Sequence, residues 1–90
     1  MRIETESGFS CEINNEALND WEVVEKLVDA QGGDYAAMID VLRDIIGTEG
    51  YNAAKDHVRA DNGRVPADKI QTLFFEILTA AGKANQDKKK

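Results

Sequence analysis

Apolar positions along this 90-residue chain change period once. Near the N-terminus they alternate: Phe9, Cys11 and Ile13 fall on one side of an extended run, and Ile3 sits in a weaker alternation before it. Ser7-Gly8 separates the two runs, and a two-residue linker containing glycine predicts a β-hairpin over about residues 2–13. A lone hairpin is marginal in water. Phe9, Cys11 and Ile13 are therefore expected to lie on helices of the same chain or to extend a sheet in a partner. From Leu18 onward the spacing becomes three and four, the period of an amphipathic helix.

Punctuation divides the helical part. Asn14-Asn15 ends the second strand and can cap a short turn through Glu16-Ala17-Leu18. Asp20 is a good N-cap, because its carboxylate accepts unpaired amides of a first turn. The first long helix is expected to reach about residue 30, with Leu18, Trp21, Val24, Leu27 and Val28 as its apolar stripe. Gly32-Gly33 stops it. Asp34 caps the next helix, which runs to about residue 46 and carries Tyr35, Met38, Ile39, Val41, Leu42, Ile45 and Ile46. That stripe is wider than one core contact needs, so this helix is expected to be the most buried. Gly47 ends it, and Thr48 is expected to cap a short peripheral helix carrying Tyr51, Ala54 and Val58. Asp61-Asn62-Gly63 terminates that one. Pro66 suits the first turn of a last helix, whose stripe is Ile70, Leu73, Phe74, Ile77, Leu78 and Ala81 and which fades near Gly82. The fold class is thus mainly α: a small helical domain of about four helices with an N-terminal β-hairpin. It is one domain over residues 1–84, followed by a mobile lysine-rich tail over residues 85–90.

Charge narrows the partners. The formal net charge is -6, with twelve acids against three bases in residues 1–50 and five acids against eight bases in residues 51–90. An acidic body repels phosphate backbones, which argues against nucleic acid. No apolar run approaches the roughly 20 residues of a membrane span, and the N-terminus lacks the apolar segment of a signal peptide. The lone Cys11 allows no internal disulfide, which fits a reduced compartment and no secretion.

Candidate chemistry is sparse. Asp61-Asn62-Gly63-Arg64-Val65 looks like the middle of an EF-hand loop. With Gly63 at the sixth position, Val58 would stand first and Lys69 last, where calcium needs oxygen ligands; a turn between helices is the expectation. An acyl carrier needs a serine at a helix start, but the serines, Ser7 and Ser10, lie in the hairpin. The single histidine, His57, is far in sequence from Cys11, so neither a zinc site nor a Cys–His nucleophile is indicated. Glu22, Glu25, Asp29, Asp40 and Asp44 fall mostly on solvated helical faces. No catalytic residue, cofactor or metal is assigned. Trp21 is expected to pack in the core against the hairpin. Phe75 cannot share one narrow stripe with Phe74, so it either packs on another element or is exposed for a partner.

The order of these signals resembles the tail assembly chaperones of long-tailed bacteriophages. The resemblance covers most of the chain. It rests on Asp20-Trp21-Glu22 with Leu27, Gly33-Asp34, Leu42 with Ile46-Gly47, Glu49-Gly50-Tyr51, and Asp61-Asn62-Gly63-Arg64-Val65. It implies a helical, non-enzymatic protein of the bacterial host's cytoplasm that binds the tape measure protein, keeps it soluble, and assists polymerisation of the tail tube protein around it. Many members are also made as a longer, frameshifted form, with which the terminal lysine triplet is compatible. The family carries no shared set of functional residues, and none is transferred. Ile39 and Ile46, from the surplus of the widest stripe, and Phe75 are the candidate partner-contacting residues. The alternative reading is a small cytosolic adaptor or regulatory protein that binds one protein partner.

Overall fold

Alternation in the first 13 residues does produce a hairpin. The computed structural model of the protein describes the backbone of residues 1–88 and the side chains of residues 1–83. Strand β1 (Arg2–Glu4) pairs antiparallel with β2 (Ser10–Glu12), with Ile3 opposite Cys11. Ile3, Thr5, Phe9, Cys11 and Ile13 are all buried, so the sheet has one inner and one wet face. The turn is longer than the two residues expected. The Thr5 amide donates to the Phe9 carbonyl at 2.8 Å and the Gly8 amide to the Thr5 carbonyl at 3.0 Å. Glu6, Ser7 and Gly8 thus form a three-residue loop, a common hairpin connection that ends on a glycine with positive φ. The buried Thr5 hydroxyl is satisfied there, accepting from the Phe9 amide at 3.1 Å.

The short turn after the hairpin is helix α1 (Asn15–Leu18), capped by Asn14. Helix α2 (Trp21–Gln31) starts where Asp20 accepts from the Glu22 amide at 2.9 Å. It ends in a two-bond lock: the Gly33 amide donates to Ala30 at 3.0 Å and the Asp34 amide to Asp29 at 3.1 Å. This is the Schellman arrangement, which places a left-handed residue at Gly33, φ +104°. Asp34 then caps helix α3 (Tyr35–Val58) by accepting from the Ala37 amide. One residue therefore closes one helix and opens the next, which folds α2 back along α3.

The two helices expected on either side of Gly47 are both present and run end to end across a kink at that residue, within the span labelled α3. Gly47 lies at φ 75°, ψ 168°, a region open essentially to glycine alone. Thr48, expected as a cap, is already helical. The break gives the hairpin an anchor, because the Asn14 amide donates to the Ile45 carbonyl at 2.8 Å. Helix α3 is the central element, packed against α1, α2, β2 and α4. Its first half buries Ala37, Met38, Val41, Leu42, Ile45 and Ile46, which makes it the best-buried helical segment, as its wide stripe predicts.

Helix α4 (Ala67–Lys88) packs on α3 and on β1, with Leu73, Phe74, Ile77 and Ala81 buried. It does not fade near Gly82. A glycine inside a helix costs only about 1 kcal/mol relative to alanine, and the residues after it include good helix formers. The expected mobile tail over residues 85–90 is thus helical as far as Lys88, and Lys89-Lys90 lie outside the described residues.

The largest departure from the sequence expectation is α2. Its inward face is Val23 and Ala30, with Leu27 partly buried, whereas Trp21 is 73% exposed and Val28 63% exposed. Trp21 and Val23 are two residues apart, about 200° around a helix, so they cannot both face the core. The expected packing of Trp21 against the hairpin is therefore wrong. A Lys26–Asp44 ion pair at 3.7 Å also joins α2 to α3, but with both side chains near half exposure it is worth no more than about 1 kcal/mol.

Candidate functional site

Three surface features gather the residues able to do chemistry or binding. The first is an apolar cleft of about 240 Å³ between α3 and the start of α4. Met38 and Leu42 come from the buried stripe, Ile39 and Tyr35 stand on one side, Tyr51 arrives from beyond the Gly47 kink, and Ile70 closes the α4 side. The Gln71 side-chain amide donates to the Tyr35 hydroxyl at 3.2 Å, which bridges the cleft from α4 to α3. Tyr51 is held by two cations over its ring, Lys55 at 4.7 Å and Arg43 at 5.3 Å from the centroid. The cleft is thus apolar inside and rimmed by polar tips.

The second feature is a larger groove of about 650 Å³ between β1 and α4, where Phe75 lies beside Thr72, Thr79 and Ala80. Phe75 is 45% exposed, and its ring stands edge-on to the buried Phe74 at 5.3 Å. Of the two alternatives for Phe75, exposure is the one realised. The three candidate partner-contacting residues therefore separate. Ile39 lies in the α3–α4 cleft and Phe75 in the β1–α4 groove, on different faces of α4. Ile46 is only 7% exposed and belongs to the core, so it presents no surface to a partner. A stripe wide enough to face two ways conceals this difference: Ile46 is covered, and Ile39, seven residues earlier, is only partly so.

The third feature was not legible in the sequence, because its residues lie 50 and 69 positions apart. The Ser7 hydroxyl sits 2.8 Å from Glu76 Oε1, 3.3 Å from His57 Nε2 and 3.2 Å from the Thr5 hydroxyl. The Ser7 amide also donates to Glu76 at 3.3 Å. These are the residue types of a hydrolytic triad, but the connectivity differs. In a triad the carboxylate orients the imidazole, and the imidazole takes the serine proton. Here the Ser7 hydroxyl donates directly to the Glu76 carboxylate at the shortest distance, so its proton points to Glu76 and is not offered to His57. The arrangement ties the hairpin turn to the end of α3 and the middle of α4. The Phe9 ring, packed on His57 at 5.3 Å, adds to the tie.

The remaining candidates resolve simply. The Asp61–Val65 turn uses its own oxygens: Asn62 Oδ1 accepts from the Arg64 amide at 2.9 Å, and the Gly63 carbonyl accepts from the Arg59 guanidinium at 2.8 Å. Among the described residues no three metal-binding side chains converge, and no helix is long and apolar enough to cross a membrane. Burial pushes the Cys11 thiol above its ordinary range; Arg2 opposes this and Glu12 adds to it. A thiol that ionises late is a poor nucleophile. Cys11 should therefore resist a disulfide reagent at pH 8 in the folded protein and react at once in denaturant. Rapid labelling without denaturant would show that the hairpin opens readily. Folding keeps the thiol neutral, so its contribution to stability is full below the unfolded value near 8.5 and is lost as pH rises through the folded one.

Comparison of the chain with protein families, with curated proteins and with solved structures finds no match.

Proposed function

We propose that this chain is a tail assembly chaperone of a long-tailed phage or prophage, and that the α3–α4 cleft receives an apolar side chain from a helical segment of the tape measure protein. One observation carries the reading: an apolar cleft left open between two otherwise well-packed helices, with Ile39 and Tyr35 at its mouth. A tape measure protein is a long helix with apolar faces, and such helices dock by laying anchors spaced three and four residues apart into grooves of this kind. The acidic body keeps a crowded complex soluble. The cleft uses the surplus of the α3 stripe, the part that the core leaves uncovered.

Co-expression with the tape measure protein of the same locus should raise that protein's soluble yield, and the two should co-elute in size-exclusion chromatography. Ile39→Asp places a charge in the cleft and should abolish both effects while the helical circular dichroism stays unchanged. The complex should survive salt that screens surface charge, because its contacts are apolar. If the tape measure protein remains insoluble and no complex elutes at low or high salt, the chaperone reading fails and a cytosolic adaptor for another protein takes its place.

A further inference from the structure

The β1–α4 groove has a property that the cleft lacks: one of its walls is a strand edge. The Ile13 amide donates to the Met1 carbonyl at 2.6 Å, and the Thr5 amide to the Phe9 carbonyl. In an antiparallel pair the bonded residues alternate. Residues 1, 3 and 5 therefore spend their backbone groups on β2, and the N–H and C=O groups of Arg2 and Glu4 point away from it. Among the described residues nothing pairs with that outer edge, since the sheet is two-stranded. The edge opens into the groove, and α4 forms the groove's other wall with Phe75, Thr79 and Ala80. An open edge beside a partly apolar helical wall is the geometry that receives an added strand.

We infer that this groove binds an extended segment of a protein partner as a third, antiparallel strand along β1, and that it selects the order basic–apolar–acidic. The charges set that order. Arg2 and Glu4 are exposed and share the outer face of the sheet, Arg2 paired across the hairpin with Glu12 at 3.4 Å and Glu4 facing the uncharged Ser10, whereas Ile3 between them faces inward. Opposite-charge neighbours directly across a sheet are favourable and like charges are not. The incoming residue opposite Glu4 is therefore Lys or Arg, and the one opposite Arg2 is Asp or Glu. The residue between them, opposite Ile3, turns toward the α4 wall and is apolar. The wall repeats this polarity, since Glu6 and Glu76 line the groove near the turn and Lys83 lies further along α4. A second copy of this chain carries the same order in its own Arg2-Ile3-Glu4, so self-pairing is the competing outcome that the test below separates.

The inference stands apart from the tape measure reading, which concerns another face of α4, and it is tested with two peptides of identical composition. Acetyl-Thr-Val-Lys-Val-Glu-Val-Thr-amide has the selected order, and acetyl-Thr-Val-Glu-Val-Lys-Val-Thr-amide reverses it. The first should bind about tenfold tighter, the sum of two cross-strand pairs changed from opposite to like charge. Its binding should shift the amide signals of Arg2 and Glu4 and slow their hydrogen exchange. Glu4→Lys, whose cross-strand neighbour is the uncharged Ser10, should remove the preference between the peptides. Phe75→Ser should weaken both. Equal affinity for the two peptides, or binding that leaves the Arg2 and Glu4 amides unprotected, would overturn the proposal. So would a free protein that is dimeric with those two amides already protected, because the edge would then belong to a second copy.

Discussion

Phe74→Ala should lower the unfolding free energy by about 3–5 kcal/mol, the largest single effect expected in this chain. Phe74 has no exposed surface and heads the group of fully buried side chains with Ile45, Leu73, Ile77 and Val41. It stands on the buried face of α4, the helix that packs on both α3 and β1. Truncation there removes the apolar contacts and leaves a cavity that two helices and a hairpin cannot jointly close. A domain of this size has a total stability of about 5–13 kcal/mol, so a large fraction of it rests on one ring. In a urea titration the midpoint should fall sharply with the slope unchanged. Its neighbour is the control. Phe75 is half exposed, and Phe75→Ala should cost less than about 1 kcal/mol. Equal losses at the two positions would mean that the face of α4 turned to the core has been assigned wrongly.

Gly47→Ala should cost about 1–3 kcal/mol, all of it backbone strain. A Cβ at position 47 would meet nothing within 4 Å, so no packing explanation is available. The cost arises because φ 75° with ψ 168° suits glycine and not an L-residue. D-alanine at the same position, introduced by chemical synthesis, has the mirror-image preference and should be tolerated. The comparison tests backbone strain, since the methyl group of L-alanine enters open space and can cost nothing through contact. Gly50 provides the contrast: a Cβ there would come within 3.0 Å of Ile46 Cβ, so Gly50→Ala is expected to act through packing. If L-alanine at position 47 leaves the melting temperature unchanged, the kink is not held in the conformation described, and the Asn14–Ile45 bond that depends on it loses its basis.

The kink also bears on binding. It carries Tyr51 to the rim of the cleft that contains Ile39. A variant that straightens α3 should therefore lose partner binding by moving Tyr51, even where most of its helical content survives.

What could be read from the residues alone was whatever a few neighbouring positions decide. The caps at Asp20 and Asp34, the stops at Gly33 and Gly47, the alternation of Phe9, Cys11 and Ile13, and the stripe of Leu73, Phe74, Ile77 and Ala81 are local matters. A carboxylate meets the nearest free amides, a glycine accepts a conformation its neighbours cannot, and a period assigns side chains to a face. These were enough for a helical domain with a hairpin. They did not decide which of two apolar sectors turns inward when a helix has both. On α2 the sector of Val23 and Ala30 is the one buried when α2 folds back along α3, and that of Trp21 and Val28 is left exposed. On α3 the same kind of choice covered Ile46 and left Ile39 at a cleft whose other wall comes from α4. The meeting of Ser7, His57 and Glu76 and the groove beside β1 likewise depend on elements distant in sequence. Burial is a property of pairs of surfaces, and each surface is chosen only when its partner arrives.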